Sequence, residues 1–199
     1  MREATLSKEP KTIWQKLWYF QAYLFYPPVL LWLMTKATIA VGWQHLIWTV
    51  ALGAIIWMFI EYILHRWVFH QPEYGQWWSL LPWAHRTHHK HPRELSLIFA
   101  PVWFSLPISI LVWLALSLII GNGQIALLIL SGIWISYLWY EYVHYSAHCR
   151  QPKTRLMRYL KTYHLLHHHT NDPIWYGVTS PIIDHLFGTY QNLPGRKKV

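Results

Sequence analysis

From Leu46 to Leu64 the chain carries a single charged side chain, Glu61. Few environments accept such a stretch. A hydrocarbon layer about 30 Å thick takes about 20 residues of helix, and a segment inside it must satisfy its own backbone polar groups, which a helix does. Three further runs of similar character accompany it. Leu17–Met34 is apolar and aromatic, interrupted by Pro27-Pro28, with a break expected at Lys36. Leu95–Ile120 is the third, with bends expected at Pro101 and Pro107. Gln124–His148 is the fourth, after a tight turn at Gly121-Asn122-Gly123. The second run reaches from Trp43 to His70, longer than a span needs, so its end projects beyond the bilayer before Pro72 stops it. Only 13% of residues are charged, against about 25% in a soluble domain. The 15 tryptophans suit rings that are dry at one end and wet at the other. The expected fold is all-α, a four-helix transmembrane bundle with spans near 17–34, 43–65, 96–120 and 124–146.

The basic residues orient this layout. With four spans, sixteen of the 17 Lys and Arg residues fall on one side, Lys36 being the exception. Positive charge stays cytoplasmic, so both termini and the ends of the second and fourth runs face the cytoplasm. Residues 1–16 are a polar cytosolic segment without the pattern of a cleaved signal. Residues 17–199 form a single membrane domain, its cytosolic helical cap drawn from 66–95 and 147–199, with a short interfacial helix over Gln76–Leu81. The net charge of +9 serves insertion and contact with anionic lipid or acidic substrate groups, not nucleic acid. Cys149 is the only cysteine, which excludes an internal disulfide and a Cys-ligated iron–sulfur cluster.

The histidines played no part in that topology, yet it gathers them. His65 and His70 precede His85-Arg-Thr-His88-His89; His144 and His148 precede His164-Leu-Leu-His167-His168. A pair of spaced histidines followed by His-x-x-His-His thus occurs twice. Neutral imidazole is the commonest side-chain metal ligand, and chance does not repeat a spacing. Ten imidazoles exceed the needs of one ion; two ions with about five ligands each would use them. His144 and His148 share a helix face. His65 and His70 lie about 140° apart on an α-helix, so either they serve different ions or the helix loosens at Arg66–Phe69. In each His-x-x-His-His, the first and fourth residues share a face and the fifth lies beside them, so one motif can bridge two ions. Imidazole suits zinc, copper, iron and nickel; iron that binds dioxygen fits a dimetal site with room left over, and zinc or manganese remain open. His45 is expected to be an anchor at the opposite interface, and His91, His169 and His185, which break the spacing, to be solvated or to support a ligand from behind.

Two acids stand inside membrane helices, where an ionisable group is by default functional. Glu61 precedes His65 by four residues, and Glu141 precedes His144 by three. Both are expected to accept the second ring N–H of a ligand histidine, fixing its tautomer. Asp184 is a weaker candidate for the same work.

The pattern His65-x4-His70, His85-x2-His88-His89, His144-x3-His148, His164-x2-His167-His168 resembles the membrane fatty acid hydroxylase superfamily, which also includes sterol desaturases. His88-His89-Lys90-His91-Pro92, Gly177-Val178-Thr179-Ser180 and Asp184-x-x-Phe187-Gly188-Thr189-Tyr190 are similar to the fatty acid 2-hydroxylase branch. The resemblance covers about residues 44–191. It implies four membrane helices, a cytosolic helical cap, a ten-histidine di-iron centre (two iron ions, zinc being able to replace them) and O₂-dependent hydroxylation of a lipid acyl chain. No haem or flavin is expected. Some members carry an N-terminal cytochrome b5 domain, which 16 residues cannot form, so a separate electron donor of cytochrome b5 or ferredoxin type is expected. The expected partners are thus the lipid acyl substrate, the membrane and that donor. The expected location is a multi-pass integral membrane protein with its site on the cytoplasmic side of a bacterial inner membrane or the endoplasmic reticulum.

Alternatives share parts of this pattern. A sterol or carotenoid oxidase or desaturase would use the same dimetal chemistry. A histidine-rich metal transporter would place ligands near the bilayer midplane, where these spans hold none. A non-catalytic lipid-binding scaffold would have no need of all ten spacings.

Overall fold

A computed structural model describes residues 12–71, 80–170 and 173–192. Residues 1–11, the stop at Pro72 and most of the interfacial segment, Gln76–Ser79, lie outside the described residues. The described residues are helical, with no strand among them. In chain order the helices are α1 (Ile13–Tyr19), α2 (Gln21–Val41), α3 (Leu46–Ile63), α4 (Leu80–Lys90), α5 (Leu95–Ile98), α6 (Val102–Ile120), α7 (Gly123–Cys149), α8 (Arg155–His169) and α9 (Ile182–Leu186). A 3₁₀ turn, Trp43–His45, leads into α3, and a π-helical turn, Leu64–Phe69, continues it. Four stretches are long and apolar enough to cross a membrane: Gln21–Val41, Trp43–Phe69, Leu95–Ile120 and Gly123–Cys149.

Local chemistry sets the ends of these helices. Thr12 and Gln15 form a reciprocal capping box at α1. The break expected at Lys36 is absent: α2 runs through it to Val41 and stops at Gly42, whose φ of 94° suits glycine. Lys36 is exposed, and its long stem lets the ammonium leave the apolar layer without ending the helix. Pro27 and Pro28 lie inside α2 and Pro107 inside α6, whereas Pro101 stands at the α6 N-cap. Gly121 closes α6 in the left-handed region, and the Asn122 side chain caps α7 by accepting from Gln124 N and Ile125 N.

The chain divides into two compact units. One takes the described residues 12–57 together with Phe99–Trp139. Its centre is Tyr26, fully buried between Trp134 and Tyr137, with its hydroxyl 2.8 Å from Ser105 Oγ. Trp134 Nε1 donates to Ser109 Oγ at 3.0 Å, so the indole meets its polar need inside an apolar layer. At Gly53 an added Cβ would collide with the Ile129 carbonyl, and at Gly132 with the Val50 carbonyl. The two glycines thus let the α3 and α7 backbones touch, the small-residue packing of membrane helices. Leu118 and Ile119 of α6 are more than four-fifths exposed, as suits side chains that face lipid.

The other unit takes Met58–Ile98 and the segment from Tyr140 onward. Three small apolar clusters hold it: Tyr163 with Ile174 and Trp175, Tyr62 with Tyr176 and Ile183, and Val143 with Leu160 and Val178. Each joins a helix to the irregular segment between α8 and α9. Thr154 caps α8, accepting from Met157 N at 3.2 Å. The buried face of α8 is Leu160, Tyr163, His164 and His167, a 3-1-3 spacing that puts two apolar residues and two imidazoles on one helical stripe.

Candidate metal centre

The ten histidines of the repeated pattern divide into two groups of five. One is His65, His70, His85, His89 and His167; the other is His88, His144, His148, His164 and His168. Each residue offers one ring nitrogen, and within a group these lie within 4.8 Å of one another. His89 and His168, from different groups, stack with ring centroids 4.1 Å apart.

Local helix geometry makes this partition. The question left open at His65 and His70 is answered by the π turn over Leu64–Phe69. Its i→i+5 hydrogen bonding sets residues five apart nearly above one another, and both enter the first group. Each His-x-x-His-His lies at the C-terminal end of a helix, α4 or α8. Each serves both groups, but its first and fifth residues go together while the fourth turns to the other side. His85 and His89 join the first group and His88 the second; His164 and His168 join the second and His167 the first. The two motifs therefore interlock in opposite senses. His144 and His148, four apart on α7, stay together in the second group.

The contacts inside each group are between Nε2 atoms. His85 Nε2 lies 3.1 Å from His65 Nε2, 3.0 Å from His70 Nε2 and 3.0 Å from His89 Nε2. His70 and His167 Nε2 are 3.0 Å apart. In the second group the separations are 2.9 Å for His88–His144, 2.8 Å for His148–His164 and 3.0 Å for His164–His168. A neutral imidazole nitrogen holds either one proton or one lone pair, so His85 Nε2 cannot hydrogen-bond to three other Nε2 atoms. His65 Nδ1–H donates to the Tyr176 carbonyl and His167 Nδ1–H to the Ile174 carbonyl, which leaves a lone pair at Nε2 of each. Lone pairs converge on a shared point, which suits a cation. With metal–nitrogen bonds of about 2.1 Å, ligands at right angles stand about 3.0 Å apart, the spacing found. The donor set fits metal ions, and each group can hold one.

Burial favours the ligating form. Outside the spans, burial draws His70 and His89 down to about 4 and His167 to about 3, with neighbouring positive charge adding to the effect. Burial also lowers His85, His88, His164 and His168, again with help from other histidines. All seven are then neutral near pH 7, as a metal requires.

The acids take up different places. Glu61 Oε1 accepts from Val178 N at 2.6 Å and Thr179 N at 2.9 Å, and its Oε2 accepts from Thr179 Oγ1 at 2.6 Å. Asp184 accepts from Tyr176 N, Gly177 N and Thr189 Oγ1. For Asp184 this replaces the expected direct bond to a histidine ring: the ring acceptors at His65 and His167 are backbone carbonyls. Glu141, fully buried on α7, stands three residues before His144. Ile174 and Tyr176 were not anticipated, since a main-chain carbonyl leaves no mark in a residue pattern. Of the remaining histidines, His91 and His169 are exposed, His185 stacks on Tyr190, and His45 lies in the 3₁₀ turn.

Four candidate spans and two five-histidine groups define a class, membrane proteins with a histidine-rich site able to hold metal. The family model for fatty acid hydroxylase matches residues 50–189, and the chain belongs to that family. It is 38% identical over 150 residues to the dihydroceramide fatty acyl 2-hydroxylase FAH2 of Arabidopsis thaliana, covering 74% of this chain and 61% of that protein. It is 31% identical over 160 residues to the fatty acid 2-hydroxylase of Homo sapiens, covering 78% of this chain and 42% of the relative. Among solved structures, full-length scs7p, with only its hydroxylase domain visible, superposes with a TM-score of 0.76 at 26% identity, covering 94% of this chain and 73% of the other. The chain thus spans about three fifths or less of these two curated relatives.

Proposed function

We propose that the two histidine groups are two metal positions and that the chain uses them to hydroxylate carbon 2 of a lipid acyl chain with O₂. The observation that carries this is the His85 Nε2 atom, ringed by three imidazole nitrogens at 3.0–3.1 Å that cannot be its hydrogen-bond partners. The ligands are His65, His70, His85, His89 and His167 for one ion and His88, His144, His148, His164 and His168 for the other. Iron is proposed as the working metal, because O₂ chemistry needs a redox-active ion; zinc, which has no redox chemistry, could occupy the site only as a substitute. Bound iron supplies the activation of O₂ needed to attack a C–H bond.

The chain's own part is ligation, orientation and exclusion of water. Each position would take five imidazoles drawn from several helices. Glu141, buried three residues before His144 on α7, is the acid proposed to strengthen that ligand as a donor. The acyl chain is the feature common to the relatives' names, and position 2 is named for the Arabidopsis and human proteins. With four spans, sixteen of the 17 basic residues of the sequence would fall on one side, which supports a site on the cytoplasmic side. Inserting one oxygen atom and reducing the other to water takes two electrons and two protons, which a donor of cytochrome b5 or ferredoxin type supplies.

The test is turnover of the purified protein in nanodiscs under ¹⁸O₂, with a reduced donor and acyl lipids. Mass spectrometry is expected to find one ¹⁸O at carbon 2. Loss of two hydrogens without oxygen would identify a desaturase instead, and oxygen in an added sterol would identify a sterol oxidase.

A further inference from the structure

We infer that Trp175 is a positioning residue that holds residues 174–179 as a strap over one histidine group only, which makes the two metal positions unequal. The inference rests on the metal reading above. Trp175 is the only non-glycine among the described residues with positive φ, at 62°. A bulky residue there is held by its surroundings. Its backbone N–H donates to the Thr189 carbonyl at 3.0 Å and its indole N–H to the Gln191 carbonyl at 2.9 Å. The ring is buried against Tyr163 and Ile174.

The reversal at Trp175 serves the carbonyls on either side of it. Ile174 O receives His167 Nδ1–H and Tyr176 O receives His65 Nδ1–H. These histidines come from α8 and the π turn, yet both belong to the first group. The next four backbone N–H groups are all held by carboxylates. Asp184 takes those of Tyr176 and Gly177, and Glu61 takes those of Val178 and Thr179. Gly177 has no room for a Cβ, which would strike the Ser180 carbonyl and stand 2.7 Å from Asp184 Oδ2. Two buried acids thus fix a loop whose carbonyls select the tautomers of two ligands. In the second group, His88, His164 and His168 find no acceptor for Nδ1 among the described residues. The strap acts on one position and leaves the other alone.

The two clamps differ in what they tolerate. Asp184 receives a backbone N–H on each oxygen, so Asp184→Asn sets an amide N–H₂ against one N–H in either orientation. Glu61 receives both backbone N–H groups on Oε1 and the Thr179 hydroxyl on Oε2. A hydroxyl can reverse its role, so Glu61→Gln can keep these three bonds.

The experiment is metal analysis of the purified full chain after dialysis against a chelator, with circular dichroism to check the helices. Loss of outer support weakens a metal site about 10–100-fold. Asp184→Asn is therefore expected to keep about one of two ions while Glu61→Gln keeps both. Trp175→Val, which a β-branched side chain forces out of the left-handed region and which lacks the indole N–H, is expected to lose one ion. In a His168→Ala background Asp184→Asn is expected to remove the remaining metal; in a His85→Ala background it is expected to change nothing. Equal loss from both positions in folded protein, or retention of both ions in Asp184→Asn and Trp175→Val, would overturn the strap. A wild-type chain without metal would overturn the metal reading beneath it, which is a separate result.

Discussion

His168→Ala is expected to abolish hydroxylation and to release metal from the second group, whereas His169→Ala, one residue on, is expected to leave both nearly unchanged. His168 Nε2 lies 3.0 Å from His164 Nε2, and its ring sits among His88, His148 and His164. His169 belongs to neither group and is exposed. Removing even a partner of a ligand costs about 10–100-fold in affinity or activity, so losing the ligand itself is expected to exceed about 100-fold. Product formation and metal content of the two variants, measured side by side, check the register. Equal damage at His169 would mean that α8 presents a different set of imidazoles.

Stripping the metal is expected to cost the unit around the histidines much of its stability. Without ions, five ring nitrogens in each group crowd one another at about hydrogen-bond distance, and in the first group those of His65 and His167 both bring lone pairs. An ion present at a thousand times its dissociation constant stabilises by about 4 kcal/mol, which in a chain of this size shifts the melting midpoint by about 10 °C. Thermal unfolding in detergent, followed by tryptophan fluorescence with and without chelator, is expected to show that drop and its reversal on adding metal back. An unchanged midpoint would mean that the imidazoles satisfy one another without a cation.

The two levels of structure were legible in the sequence to different degrees. The spans were readable because lipid demands length and apolarity, which are one-dimensional. Lys36 misled because a flexible amphipathic stem lets a charge ride on a helix that keeps going. The repeat of His-x-x-His-His pointed to interlocking motifs, but the pairing of first with fifth residue, and the turning away of the fourth, depends on how α4 and α8 face one another. His65 and His70 converge through a π turn, and nothing in Leu-His-Arg-Trp-Val-Phe separates that turn from an ordinary α-helix. Glu61 was identifiable as an expensive acid within a span, yet the backbone it holds lies 117 residues away. Ile174 and Tyr176 act through carbonyls that any residue would possess. What composition and period determine was open to inspection; what the main chain contributes at long range was not.

Metal analysis of the intact wild-type chain, purified in detergent with iron supplied during expression, tests the central claim most directly. Two groups of five imidazoles predict about two ions per chain, since each set offers enough donors to hold one first-row metal. A folded chain that binds one ion or none, with hydroxylation retained, would contradict the claim that the ten histidines form a two-metal centre.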